Sequence, residues 1–296
     1  MSKKSWLLTL CMGAMWGSSF FFIEILLKTI HPFMIVFLRA SVALIGITAF
    51  IIYKKIPIPL NKELWFKLII LGIITNVLPF SLITSGQQTI SAGLASILNA
   101  CAAFFGVMLS LTFINSERFA FHRLIGVIIG ISGIIITIGY ENILSIEIDN
   151  RGQYLVILAT LFYALAANWA KIKLNTVDPA ISTFGMLSTS TVLLFILTIY
   201  TDTLSSIAIS FEILVSIACI SLIGTSIGFY LWFKVINAES ASDSLLVAIT
   251  VPVFAVMLDG LILNQFLNNQ EIIGFIFVAL GLIVMDGRII NLKRSI

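Results

Sequence analysis

The sequence predicts an all-α membrane protein: ten transmembrane helices in two inverted five-helix repeats, with both the N- and C-termini cytoplasmic. Three observations predict it. Apolar stretches recur ten times along the 296-residue chain, basic residues gather in every second connection, and the two halves match weakly. A hydrocarbon core roughly 30 Å thick takes about 20 helical residues to cross, so little chain is left for a soluble domain. Mean hydropathy is +1.11, 59% of residues are hydrophobic and 10% are charged, far below the roughly one quarter usual in soluble domains.

Hydropathy and breakers together place helices at 6–27, 33–53, 65–85, 91–114, 121–140, 152–171, 180–200, 211–236, 241–263 and 271–290. The breaks are turn chemistry and polar clusters: His31-Pro32, Pro57-Ile58-Pro59, Gly86 to Ser91, Asn115 to Arg118, Tyr140 to Arg151, Asp178-Pro179, Thr201 to Ser206, Ala238 to Ser240 and Asn264 to Gln270. Lys3-Lys4 followed by Trp6 to Met12 has the outline of a signal peptide. Met15, Trp16 and Gly17 supply no small-x-small cleavage site, so the segment is expected to remain as a span. Cys11, Cys101 and Cys219 fall inside apolar spans with no metal-ligand or disulfide spacing.

Assigned to alternate connections, all of the 17 basic residues except Lys28, Arg39 and Arg151 fall on one side of the membrane. By the positive-inside rule that side is cytoplasmic and holds both termini. The net charge of +3 comes from residues placed singly or in pairs at span ends. Anionic lipid headgroups are their expected neighbours, and nucleic acid is not.

Five spans per half make the sixth helix enter from the face opposite to the first, so similarity between halves implies an inverted repeat. The first repeat is expected over 1–140, an external linker over 141–151 and the second repeat over 152–296. Pro32 and Pro179 open the second and seventh helices. Gly126, Gly133 and Gly139 match Gly274, Gly281 and Gly287 at nearly the same shift, and small residues at that spacing let helix backbones approach in lipid. Phe105 to Leu109 resembles Phe254 to Leu258, one residue out of register with the glycines.

These residues resemble a known family. Trp16-Gly17-Ser18-Ser19-Phe20, His31-Pro32 and Phe37-Leu38-Arg39-Ala40 are similar to the opening of EamA-type transporters of the drug/metabolite transporter superfamily. So are Ser91-Ala92-Gly93-Leu94-Ala95 to Glu117, Gly126 to Gly139, and Ser240-Ala241 through Pro252 to Gly287. The resemblance covers essentially the whole chain. It implies ten helices, an inverted five-plus-five repeat and a central substrate cavity lined mainly by helices one, three, four, six, eight and nine. Two positions depart from the family pattern: Phe104 where Pro often stands in helix four, and Gln265 where the second half often has the Glu that Glu117 retains in the first. The motifs concern loops, packing and span ends, so they speak to fold rather than to substrate.

An ionisable group at membrane depth costs about 2.5 to 3.5 kcal/mol on insertion scales and invites a functional reading. Arg39 is the strongest case: it either attracts a carboxylate or closes an external gate, or else it bonds helix-end carbonyls or snorkels to headgroups. The resemblance, in which Arg stands there irrespective of substrate, favours the structural role. Glu24 and Asp259 lie near external helix ends, where either pairs with Arg39, carries a coupling proton or is simply hydrated. Glu117 is expected in a loop-fixing ion pair with Arg118 or Arg123.

Uncharged polar groups nearer mid-membrane are the better cavity candidates: Asn76, Asn99, Tyr163, Asn168 and the pair Thr225-Ser226, with Trp16 and Trp169 as aromatic walls. Trp6, Trp65 and Trp232 read as interfacial anchors. Pro79 and Pro252 are helix-break candidates that free backbone carbonyls within the span, or simple kinks.

The expected function is a secondary transporter in the cell (inner) membrane, moving a small organic metabolite such as an amino acid or related amphipathic solute by alternating access, as an exporter or exchanger. No Walker A pattern occurs and there is no room for a nucleotide-binding domain. Outside Arg39 no Lys or Arg lies well within the spans, which disfavours polyanions. The expected partners are a small-molecule substrate and the lipid bilayer, with proton coupling as one option; no cofactor or metal is expected, and nothing in the sequence signals an oligomeric state. A passive channel or non-transporting scaffold is the alternative. An intramembrane enzyme fits worse, because His31 and His122 fall at opposite faces and no HExxH pair exists.

Overall fold

A computed structural model describes residues 3–113, 121–138, 151–201, 203, 210–239 and 241–286. Among them every regular element is a helix. α1 (Lys3–Leu27) and α2 (Pro32–Lys54) are continuous. α3 (Lys62–Gly86) contains a π turn over Ile73–Val77, and α4 consists of Ala92–Asn99 and Cys101–Phe113. α5 (Phe121–Ile138), α6 (Arg151–Lys173) and α7 (Pro179–Tyr200) are again continuous. α8 (Phe211–Ala238) holds a π turn over Cys219–Ile227. α9 is composite, with Ala241–Ser244, a 3₁₀ turn over Leu245–Ile249, Val251–Leu258 and a π turn over Asp259–Leu263, and α10 is Asn269–Asp286. The expected linker 141–151 (Arg151 apart), Glu117, Arg118, Gly139 and Gly287 lie outside the described residues.

Among the described residues seven segments are long and apolar enough to cross a bilayer: α1, α2, α3, α4 (Ala92–Leu109), α6, α7 and α8. Leu124–Thr137 in α5, Val251–Leu263 in α9 and Asn269–Val284 in α10 are shorter apolar helices.

The helix starts follow from their first residues. Pro32 and Pro179 each occupy the first helical position, where a missing N–H costs nothing. His31 Nδ1 accepts from Phe33 N at 3.4 Å, and Asp178 Oδ1 accepts from Ala180 N at 2.7 Å. Asn61 Oδ1 caps α3 by accepting from Glu63 N at 2.8 Å. α4 starts differently, because three side chains from three places hold its free amides. Glu24 of α1 accepts from Ala92 N at 2.8 Å, Asp259 of α9 accepts from Gly93 N at 2.7 Å, and Ser91 caps Leu94 N at 3.2 Å. Negative charge at this end also opposes the helix dipole.

The sequence leaves Pro79 as either a helix break or a simple kink. Pro79 sits second in the α segment Leu78–Gly86, directly after the π turn, and the helix runs on. The wider turn absorbs the missing donor and the ring clash. Pro252 does follow a true break, since the 3₁₀ turn ends at Thr250 just before it. α4 also breaks, without a proline: Ala100 N bonds Ile97 O and Ala103 N bonds Ala100 O, two tight i to i−3 bonds around one residue.

The helices pair in a regular way. α5 packs on α10 and α2 on α7; α1 packs on α8 and α9, while α6 packs on α3 and α4; α2 meets the π turn of α8, and α7 meets α3. The α5–α10 pair is backbone against backbone. A Cβ built on Gly281 would lie 2.5 Å from Gly130 N and 2.6 Å from Gly126 O, and one on Gly133 would lie 2.7 Å from Gly274 O. The small-residue faces read from the sequence therefore face each other.

Because the atoms met at Gly281 are main chain, neither helix can yield by a rotamer change, and overpacking costs about 1–3 kcal/mol. Gly281→Ala is expected to lower the thermal unfolding midpoint of the detergent-purified protein, and Gly281→Leu to lower it further. An unchanged midpoint for both would show that these helices do not touch there. Asp259→Ala removes a charge-assisted bond of about 1.5–3 kcal/mol, so it should lower the midpoint and speed amide exchange at Gly93, whereas Asp259→Asn keeps an acceptor and should change both less.

Candidate functional site

α1, α3, α4, α6, α8 and α9 surround a cavity holding about 780 Å³ of space free of protein atoms, its open mouth included. These are the six helices that the family resemblance implies. α2 adds one residue to the wall, Arg39.

Both broken helices contribute their breaks. Asn99 and Ala102 flank the turn at Ala100 of α4, and Leu245, Val247 and Ala248 come from the 3₁₀ turn of α9. Irregular backbone at membrane depth is tolerated where it lines a cavity or is buried in protein. α3 reaches the wall through Thr75, in its π turn, and through Phe80 and Thr84 beyond Pro79.

An aromatic chain forms one side. Ring centroids of Trp16 and Phe229 are 5.6 Å apart, those of Phe80 and Phe229 6.2 Å and those of Phe229 and Trp232 6.0 Å. Trp16 is fixed by Nε1, which donates to Gly224 O at 2.8 Å. Two glycines make that seat. A Cβ on Gly228 would lie 2.7 Å from Trp16 Nε1, and one on Gly224 would lie 2.5 Å from Ser19 Oγ.

Arg39 is buried, with 6% of its surface exposed, so it does not snorkel. Its Nε donates to Thr225 Oγ1 at 2.7 Å, and its guanidinium carbon lies 3.8 Å from the centre of the Phe80 ring. Thr225 in turn donates to Ile220 O at 2.7 Å, five residues back in the π turn of α8. The reading in which Arg39 bonds helix-end carbonyls is thereby replaced by a side-chain bond between α2 and α8.

Glu24 and Asp259 do not pair with Arg39. Both hold the start of α4, and Glu24 also accepts from Gln265 Nε2. Asp259 is 2% exposed, so hydration at a helix end does not describe it.

Of the residues singled out in the sequence, Trp16, Arg39, Asn99 and Tyr163 meet at the cavity. Asn76 lies elsewhere, with Nδ2 donating to Ser190 Oγ of α7 at 3.2 Å. Asn168 Nδ2 donates to Ala164 O at 2.9 Å within α6, Thr225 serves Arg39, and Ser226 lies beside Gly46 of α2. Trp169 donates through Nε1 to Lys67 O and is absent from the wall. Trp232, read as an interfacial anchor, is 3% exposed and lines the cavity. Thr75, Phe80, Thr84 and Phe229 were not singled out. Thr75 is the immediate neighbour of Asn76, and the π turn decides which of the two faces inward.

Comparisons with known proteins agree on the whole-chain scale. An uncharacterised transporter of Archaeoglobus fulgidus is 23% identical over 290 residues, covering 95% of this chain and 98% of its own length. A probable amino-acid metabolite efflux pump of Escherichia coli is 24% identical over 299 residues, covering 96% and 95%. A solved crystal structure superposes with a TM-score of 0.75 at 14% identity over 96% of this chain and 98% of the other, a likeness of fold. The EamA-like transporter family matches residues 3–139 and again 150–285. Matched twice, over nearly all of its length, the chain belongs to the EamA-like transporter family.

Proposed function

We propose that this chain is a secondary transporter that carries a small organic metabolite, an amino acid or related amphipathic solute, across the cell (inner) membrane by alternating access, as an exporter or exchanger. The carrying observation is the cavity where broken α4 and broken α9 face one another. In this reading α1 to α10 all span the bilayer, the shorter α5, α9 and α10 included. Residues 1–140 and 152–296 form two inverted repeats joined by an external linker, with both termini cytoplasmic.

The helix pairings support a twofold relation. Exchanging α1–α5 with α6–α10 turns each of the main pairings into another: α1 on α8 becomes α6 on α3, α1 on α9 becomes α6 on α4, and α2 on α7 and α5 on α10 return themselves. Polar contacts follow the same exchange, since α2 bonds α8 through Arg39 and Thr225 while α7 bonds α3 through Ser190 and Asn76. Two equivalent bundles around one site can rock to open it first to one side and then to the other. The name of the Escherichia coli relative, a probable amino-acid metabolite efflux pump, agrees with the substrate class.

Trp16, Arg39, Asn99 and Tyr163 are the proposed substrate contacts. Asn99 lines the cavity, and its Oδ1 is buried without a hydrogen-bond partner among the described residues. A substrate donor would satisfy it. Asn76 and Asn168 are proposed as helix–helix and intrahelical contacts, and Glu24 and Asp259 as the closure that ties α1 and α9 to α4.

Proteoliposomes preloaded with an unlabelled amino-acid and metabolite library, one solute at a time, should accelerate entry of the same labelled solute. Saturable counterflow marks a carrier, linear flux without counterflow a pore, and no flux of any solute a scaffold. Repeating positive cases with and without an imposed pH gradient tests proton coupling. Asn99→Ala should reduce flux of a counterflow substrate about tenfold, the scale of one buried hydrogen bond. Asn168→Ala should lower thermal stability while leaving the KM of surviving protein near that of the unmutated chain. The opposite ranking would move the site away from the cavity.

A further inference from the structure

Among the described residues Arg39 is a buried cation without a counter-ion. Among the described residues it makes no ion pair, and no Asp or Glu lines the cavity it faces. The two carboxylates nearest in kind, Glu24 and Asp259, are committed to the amides of α4. Nε is taken by Thr225, while no protein acceptor among the described residues serves the two terminal nitrogens. Leaving a guanidinium unpaired inside a protein costs several kcal/mol, and one anion in the cavity offsets it.

The setting also selects the anion. Phe80 lies against the guanidinium and Thr225 holds Nε, so the plane is fixed and its terminal edge remains for a ligand. That edge offers two parallel N–H groups, a match to the two oxygens of a carboxylate. With a single cation in the wall, a second negative group on the ligand would be buried without a partner. The aromatic chain of Trp16, Phe229 and Trp232 offers flat apolar surface to the rest of the molecule. For an ammonium the wall holds only uncharged acceptors, among them Asn99 Oδ1 and Thr75 Oγ1.

We propose that the terminal nitrogens of Arg39 bind the carboxylate of the transported solute, and that the substrates are organic monocarboxylates with a flat apolar body for which an amino group is dispensable. The assignment rests on the transport reading and narrows it. Arg39 is then the residue that decides specificity, and its contact with Thr225 couples α2 and the π turn of α8 to an occupied site.

Three probes of nearly one shape separate the charges: 3-phenylpropanoate carries the carboxylate alone, phenylalanine both charges and 2-phenylethylamine the ammonium alone. Binding to the full chain in lipid nanodiscs is read by tryptophan fluorescence, which Trp16 and Trp232 place at the cavity, and by thermal stabilisation. The acid and the amino acid are expected to bind, the amine at least about tenfold more weakly. Inorganic phosphate and chloride should neither bind comparably nor displace the acid. Arg39→Gln should weaken the acid about tenfold or more with little effect on the amine, and Arg39→Lys should recover part of the loss. If Arg39→Gln fails to fold, the comparison of acid with amine on the unmutated chain decides alone.

Amine binding equal to the acid, equal binding of the inorganic anions, unchanged acid affinity in a folded Arg39→Gln, or no binding of any of the three probes overturns the assignment. Any of these in a protein that still shows counterflow of some solute leaves the transport reading standing. Acid binding through Arg39 in a protein without counterflow would remove the transport reading and keep the anion site.

Discussion

In a bilayer an apolar side chain gains little by leaving lipid tails for another helix, so helices associate through close backbone approach and polar contacts between them. Both devices organise this chain. Gly281 against Gly130 and Gly126 brings α5 and α10 into main-chain contact, which forms a firm pair at one end of each half. Toward the middle the joints become polar and sparse: Arg39 to Thr225, Asn76 to Ser190, Trp16 to Gly224. A molecule built this way has dense pairs and few side-chain bonds where the pairs meet.

The same constraint explains where the backbone departs from α geometry. A main-chain group left unbonded in lipid costs several kcal/mol, so irregular turns collect where protein or cavity replaces lipid. The tight turn at Ala100, the 3₁₀ turn at Leu245–Ile249 and the π turns of α3 and α8 all border the cavity or the contacts of Arg39. Each turns a helix face by part of a residue's rotation. Thr75 thereby reaches the cavity while Asn76 turns to α7.

That rotation marks the limit of what the sequence discloses. Helix positions, the caps at His31-Pro32 and Asp178-Pro179 and the glycine faces of α5 and α10 were legible, because each depends on residues close in the chain or on a simple repeat. The break at Ala100 was not. Alanine is the best helix former, so nothing in the residue itself announces the turn. Nor could spacing separate Thr75 from Asn76, because an ideal helical wheel has no place for the extra residue of a π turn. Trp232 was misread for a related reason: its place near a span end suggested an interface, whereas it is buried and lines the cavity. Arg39 was singled out by its cost alone, but its partner Thr225 lies 186 residues further along the chain.

The capping of α4 has an effect on how this protein can vary over generations. Its donors are main-chain amides at positions 92 and 93, and every amino acid except proline supplies one. Drift at those two sites thus leaves the donors in place, limited at position 92 by its full burial and at position 93 by the nearness of Asp259, 2.9 Å from a Cβ placed there. The acceptors are different, because a carboxylate lost from α1 or α9 cannot be compensated by any change on the donor side. Heritable tolerance is lopsided across this joint, bounded by space alone on one helix and by chemistry on the two that grip it.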